Sequence, residues 1–212
     1  ALLFHSLEID DVVAAHLATH EGSLSARIDD GIPDTRLQLL MQHVGQVDLT
    51  GLATIDDRRA AVLAEQRLWH EAPGMSGLFL NDVTRLTPAA AGRLATHRAG
   101  GLSLNGLKLL SEDVASRLLP HPLLCLDGVK SVTDRVAAVL AEHQGGVLSL
   151  KGLERVSRAA VERLRGNPGI ELPRRLCEPG SRPAAAGQDL SRQAMIRVID
   201  DLARRGERML GR

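Results

Sequence analysis

The stretch LSLNGLKLL at Leu102–Leu110 returns with few changes as LSLKGLERV at Leu148–Val156. Three further segments share its pattern, with aliphatic residues at positions one, three, six and nine and usually glycine at position five: VDLTGLATI (47–55), LFLNDVTRL (78–86) and LCLDGVKSV (124–132). Weaker copies begin at Leu2 and Leu24, and a partial one at Ile170. Successive copies start 22, 23, 31, 24, 22, 24 and 22 residues apart. A period near 23 indicates an array of repeated units, each made of one copy and the segment after it.

The second half of each unit predicts a helix. The residue that follows the strand pattern can accept hydrogen bonds from first-turn backbone N–H groups, and it is Asp10, Asp56, Thr87, Ser111, Thr133 or Ser157. A small residue and then a leucine follow four and seven positions later, as Ala115 and Leu118 do, and form a narrow apolar stripe. Glycines such as Gly45 and Gly100 end the helices. A unit this small must stack on its neighbours, so we expect an α/β fold: a right-handed solenoid with a parallel sheet on one face and helices on the other.

The L-x-L-x-G-L strand, the helical return and the period resemble the leucine-rich-repeat solenoids, particularly variant arrays in large bacterial proteins. The resemblance covers Leu2 to Leu172. It departs from the family at position six, where the usual ladder asparagine is replaced by Leu52, Val83, Leu107, Val129 or Leu153. The turn must therefore be built differently, and the glycine at position five is the candidate. The resemblance implies recognition of another macromolecule rather than catalysis.

The periodicity stops after Leu172, which predicts three parts. Residues 1–172 form the solenoid of about seven units, and residues 173–188, rich in Pro, Gly, Ala and Arg, form a linker. Residues 189–212 show the apolar spacing of an amphipathic helix. Three roles are open for this helix: capping the end of the solenoid, self-association through residues 189–210, or docking elsewhere.

Composition narrows the classes of partner. Lys+Arg and Asp+Glu each number 26, and the aromatic residues are 2 Phe and 1 Trp. A nucleic-acid-binding surface usually has a basic excess and stacking aromatics, so nucleic acid is not an expected partner. The sequence contains no apolar run of membrane-spanning length, and no membrane contact is expected. The two cysteines fit a reducing compartment, so we predict a cytoplasmic protein, with a trimmed start at Ala1.

Positions two and four of the strand pattern point away from the core and predict an open sheet face that binds a protein partner. These residues are Asp48 and Thr50, Phe79 and Asn81, Ser103 and Asn105, Cys125 and Asp127, and Ser149 and Lys151. The long interval adds an insertion at 67–77 with Trp69 and His70. Phe79 and Trp69 are the expected anchors. A merely solvated face, and a Trp69 that plugs a helix end, are the alternatives.

Histidines recur ten residues after the helix caps, at His20, His43, His97, His121 and His143. Stacked units hold equivalent atoms at least a strand spacing apart, so we expect these rings to cap helix carboxyl ends rather than bind a metal. Cys125 has no evident base to activate it. We therefore expect no catalytic residues, no metal and no cofactor. The predicted function is a non-catalytic protein-recognition module, and a structural spacer or self-assembly element is the alternative.

Overall fold

The computed structural model describes residues 2–4, 9–66, 77–98 and 100–177. Strands and helices alternate along these ranges in an α/β fold. The strands are β1 (Leu2–Phe4), β2 (Glu21–Arg27), β3 (Val44–Thr50), β4 (Thr54–Ile55), β5 (Gly77–Phe79), β6 (Arg85–Leu86), β7 (Gly101–Ser103), β8 (Leu123–Cys125), β9 (Val147–Ser149) and β10 (Ile170–Glu171). The helices are α1 (Asp11–Ala18), α2 (Asp34–Leu40), α3 (Asp57–Ala64), α4 (Pro88–Leu94), α5 (Glu112–Leu118), α6 (Asp134–Ala141), α7 (Arg158–Arg165) and α8 (Arg174–Cys177).

A parallel sheet of eight strands orders the units. Its strand order, β1-β2-β3-β5-β7-β8-β9-β10, follows the chain, and each strand pairs in parallel with its neighbours. The register aligns position one of successive units: Leu78 opposite Leu102, Leu102 opposite Leu124, and Leu124 opposite Leu148. The predicted parallel sheet is confirmed, and equivalent residues of neighbouring units therefore lie side by side.

The core lies between this sheet and the helices. Positions one, three and six of the strand pattern are buried, as Leu102, Leu104 and Leu107 illustrate. The helices contribute the expected stripe, with Ala115 and Leu118 fully buried. The six predicted caps each accept a hydrogen bond from the third residue of their helix: Asp10, Asp56, Thr87, Ser111, Thr133 and Ser157. Local helix signals and sheet periodicity thus agree in every one of these units.

Two features lie outside the prediction. Strands β4 and β6 pair in parallel as a second, two-stranded sheet, because the chain stays extended just before the caps of α3 and α4. The predicted linker at 173–188 begins with the short helix α8, where Leu176 packs partly buried against the core. The remainder of that linker and the predicted helix at 189–212 lie outside the described residues.

Candidate functional site: the outer face of the large sheet

The outer face of the sheet is accessible along its two longest strands. On β2 and β3, alternate side chains such as Val47 and Leu49 are fully buried in the core. The side chains between them are half-buried, or exposed in the case of Arg27. We call this second set the β2–β3 face: Ser25, Arg27, Gln46, Asp48 and Thr50. The predicted position of Asp48 and Thr50 on the outer face is confirmed.

The same face is closed along β5, β7, β8 and β9. The position-two side chains there are buried, with exposed fractions of 3% for Phe79, 1% for Ser103, 4% for Cys125 and 6% for Ser149. The expectation that these four residues are displayed to solvent is wrong. Strand alternation alone predicts which face a side chain occupies, but not what neighbouring side chains cover it.

Phe79 is not an exposed anchor. It forms a small apolar cluster with Cys125, against which Leu123 packs partly buried. Gly77 at the start of β5 leaves room for its ring, because an added Cβ there would lie 3.3 Å from Phe79 Cε2. The ring is therefore part of the packing of this face, and the other predicted anchor, Trp69, lies with His70 outside the described residues.

A ladder of hydrogen bonds closes this part of the face. Asn81 Oδ1 accepts from Ser103 Oγ at 2.6 Å and from the backbone N–H of Asn105 at 3.3 Å. One unit on, Asn105 Oδ1 accepts from the backbone N–H of Asp127 at 2.8 Å and from Cys125 Sγ at 3.4 Å. Each side chain therefore bonds to positions two and four of the next unit.

The same arrangement is repeated a third time. Asp127 Oδ1 accepts from Ser149 Oγ at 2.6 Å and from the backbone N–H of Lys151 at 2.8 Å. We call Asn81, Asn105 and Asp127 the position-four ladder. Lys151 ends it and forms an ion pair with Glu171, with 2.5 Å between Nζ and Oε2. The side-chain oxygens of the three ladder residues accept hydrogen bonds from the next unit, so the main role of these residues is to connect neighbouring units.

Sequence reasoning missed the ladder, although a signal for it exists. An amide or carboxylate stands at position four in three successive units, and a hydroxyl or thiol stands at position two of each following unit. Strand alternation predicts that these polar residues face a protein partner or solvent, whereas half-buried amides and carboxylates also need hydrogen-bond partners within the fold. The signal is therefore the combination of an amide or carboxylate at position four with a hydroxyl or thiol at position two of the next unit.

In four of the five clear units the turn after the strand has the glycine at position five that the sequence indicates, and Asp82 takes this place after β5. A Cβ at Gly128 would lie 2.5 Å from the carbonyl carbon of Asn105, and one at Gly152 would lie 2.7 Å from that of Asp127. Successive turns therefore stack backbone against backbone. The position-six residues, such as Leu107 and Leu153, are buried in the core instead of forming an asparagine ladder.

The Cys125 thiol is poorly suited to nucleophilic chemistry. Burial, and next the adjacent carboxylate of Asp127, raise the pKa of Cys125 to about 12. A thiol with this pKa is ionised in only about one molecule in 10⁴ at pH 8, and the thiolate is the reactive form. The thiol instead donates to the oxygens of Asn105 and Asp127 at 3.4 Å.

We expect Cys125 to react with 5,5′-dithiobis(2-nitrobenzoate) at pH 8 at least about a hundredfold more slowly in the folded chain than in urea, because only rare opening exposes it. A Cys177→Ser background makes Cys125 the only thiol and allows the rates to be read directly. The urea-unfolded chain of the same variant is the control. A folded rate within tenfold of the unfolded rate would contradict the buried, protonated thiol.

Within the described ranges, no three His, Cys, Asp or Glu side chains come together as a group that could hold a metal ion. None of the helices in the part of the chain that the structure describes has the length and apolar character to cross a membrane. No protein-family model, curated protein or solved structure matches the chain.

Proposed function

We propose that the chain is a non-catalytic recognition module, a leucine-rich-repeat-like right-handed solenoid that binds a protein partner through the β2–β3 face. The observation that carries the proposal is the contrast along one sheet. The position-two side chains of β5, β7, β8 and β9 are buried, whereas the outward side chains of β2 and β3 remain half-buried or exposed over two strands of seven residues each. One bond between β2 and β3, from Ser23 Oγ to Gln46 Oε1 at 3.2 Å, lies on the same side of the sheet. Extended sheet faces of stacked units are typical binding surfaces.

The charge of this region indicates the kind of partner. Residues 9–66 contain ten carboxylate side chains and four arginines, although the whole chain is neutral. Three of the arginines are already engaged by acids on the helical side: Arg36 pairs with Asp11, and Arg58 and Arg59 pair with Asp34. The β2–β3 face itself carries Arg27 and Asp48, whose charges cancel, so the carboxylates around it supply the negative potential. The proposed partner is a protein with a basic surface, because complementary potentials favour encounter and exclude acidic competitors.

Arginine substitutions on β3 provide the test. We expect Gln46→Arg with Thr50→Arg to weaken capture of a basic protein from a lysate of the source cells at least about tenfold, since two bulky cations are added to the face. Cross-linking followed by mass spectrometry identifies the protein and the contacted strands. Raising the salt concentration to 0.5 M should weaken the same capture, because screening shortens the range of charge attraction.

The matched control makes the same two changes on a helix. Gln38→Arg and Thr35→Arg lie on α2, where both side chains are exposed, and they add the same charge to the preceding unit. This variant should retain capture within about twofold if the sheet face carries binding. Equal loss in both variants, or equal retention in both, would contradict the β2–β3 face as the binding surface.

A further inference from the structure

A second ladder runs along the carboxyl ends of the helices. The tenth residue after each helix cap is polar in seven successive units: His20, His43, Gln66, His97, His121, His143 and Asn167. Side-chain nitrogens at several of these positions donate to main-chain oxygens near the end of the preceding helix: His43 Nδ1 to Leu17 O at 3.0 Å, His143 Nδ1 to Leu119 O at 3.1 Å and Asn167 Nδ2 to Ala141 O at 2.9 Å. The predicted contact of histidines with helix ends is confirmed at His43 and His143, but the helix belongs to the preceding unit. Asn167 makes the same kind of contact and lies outside the prediction.

The middle of this ladder is a chain of side chains bonded to one another. The backbone N–H of Leu123 donates to His121 Nδ1 at 3.2 Å, which places the proton of that neutral ring on Nε2. His121 Nε2 then donates to His97 Nδ1 at 3.4 Å, so His97 carries its proton on Nε2. His97 Nε2 donates to Gln66 Oε1 at 2.9 Å, and Gln66 Nε2 donates to Gly45 O at 2.7 Å.

This series of hydrogen bonds cannot accept an additional proton without losing one of its bonds. A proton added to His97 would go to Nδ1, where it would face the N–H of His121. A proton added to His121 would go to Nδ1, where it would face the backbone N–H of Leu123. Either event turns a donor–acceptor pair into two opposed donors.

The described surroundings of the two rings would do little to stabilise the positive charge of a protonated imidazole. Both are fully buried, and they stack with centroids 5.7 Å apart. In the hydrogen bonds of the described residues, neither ring pairs with a carboxylate. At the ends of the helices that pack beside the rings, the charged residues closest in sequence to the ladder positions are exposed: Glu65, Arg98, Arg117 and Glu142.

We propose that the Gln66–His97–His121 chain is an acid-sensitive joint, which holds the carboxyl ends of α3, α4 and α5 together at neutral pH and breaks when either ring is protonated. At the equivalent ladder position Gln66 and Asn167 carry amides, which do not take up a proton in this pH range. The joint therefore senses acid only in the units that carry histidine.

The direction of the effect follows from the two pKa values. Burial lowers the pKa of His97 from 6.5 to about 4. Burial, and next the charge of His97, lower that of His121 to about 3, and positive charge on His143 and Arg98 acts in the same sense. A neutral histidine with a lowered folded-state pKa contributes its full stability above pH 6.5 and loses it as the pH falls toward the folded-state value.

The experiment is urea unfolding of the full chain, followed by circular dichroism at pH 7.5, 6.5, 5.5 and 4.5. Between pH 6 and pH 4 each histidine lowers the folding equilibrium constant by up to about tenfold per pH unit, so the two together lower it by up to about a hundredfold per pH unit. The variant His97→Gln with His121→Gln should lose this part of the pH dependence. Identical pH dependence in the variant and the wild type would overturn the proposal.

The control is His16→Gln, which makes the same change at an exposed residue of α1 and should follow the wild type. If the double variant does not fold at pH 7.5, nuclear magnetic resonance of the wild-type histidine Hε1 signals decides the matter. Two rings that stay neutral in the folded chain down to pH 5 support the joint. Signals from His97 and His121 that titrate near pH 6.5 with the fold intact overturn it.

Discussion

Substitution of Gly128 by alanine is expected to lower the free energy of unfolding by about 3 kcal/mol or more, because the added methyl group meets fixed backbone. Its Cβ would lie 2.5 Å from the carbonyl carbon of Asn105, closer still to the carbonyl oxygen, and 2.9 Å from the oxygen of Leu107. These atoms belong to the preceding turn, so the clash cannot be relieved by a change of rotamer. Urea unfolding at neutral pH, followed by circular dichroism, measures the loss.

Gly92→Ala is the matched control for this prediction. Gly92 lies within α4, and the nearest described atom outside this helix to an added Cβ would be Arg117 Cδ, at 3.8 Å. Alanine is preferred to glycine inside a helix, so this variant should gain about 0.5–1 kcal/mol. The same substitution thus has opposite signs at the two sites. A loss below about 1 kcal/mol at Gly128 would contradict the close stacking of turns.

The fold class was predictable because several local signals agreed. The aliphatic period defined the buried strand positions, and residues such as Ser111 and Thr133 marked the helix starts at which the structure has them. The repeated glycine of LSLNGL and LSLKGL is explained by the close approach of successive turns at Gly106 and Gly152. These signals act within one unit, or identically in all units, and are therefore visible in the sequence.

The outer face was not predictable in the same way, because its character depends on pairs of residues in different units. Position two predicts the outward direction of Phe79 correctly, but its burial depends on Cys125, two units away. Asn105 is polar and faces outward, yet its oxygen serves the next unit. Similarly, the position of His97 at a helix end was evident, whereas its bond to Gln66 required the stacking register. Whether an outward side chain is buried therefore depends on the side chains of neighbouring units, which the alternation along one strand does not reveal.

A second large loss of stability is expected for substitution of Asp127, a residue of the position-four ladder. Asp127→Ala removes the acceptor for both Ser149 Oγ and the backbone N–H of Lys151. Ser149 is buried, so its hydroxyl has little access to water in exchange. The buried Ser149 hydroxyl left without an acceptor costs about 1–3 kcal/mol, and loss of the bond from the more exposed Lys151 N–H costs about 1 kcal/mol, so we expect a total loss of about 3 kcal/mol in the free energy of unfolding.

The variant Asp127→Asn tests whether Asp127 acts through its hydrogen bonds or through its negative charge. The carboxamide keeps one oxygen acceptor, as Asn105 does at the equivalent position, so this variant should lie within about 1 kcal/mol of the wild type. A double-mutant cycle of Asp127→Ala with Ser149→Ala then isolates one bond. Because the bond between these side chains is lost in either single variant, the two losses should sum to about 1 kcal/mol more than the loss in the double variant. Strict additivity, or an asparagine variant as unstable as the alanine variant, would mean that the carboxylate acts through its charge and not as a link between units.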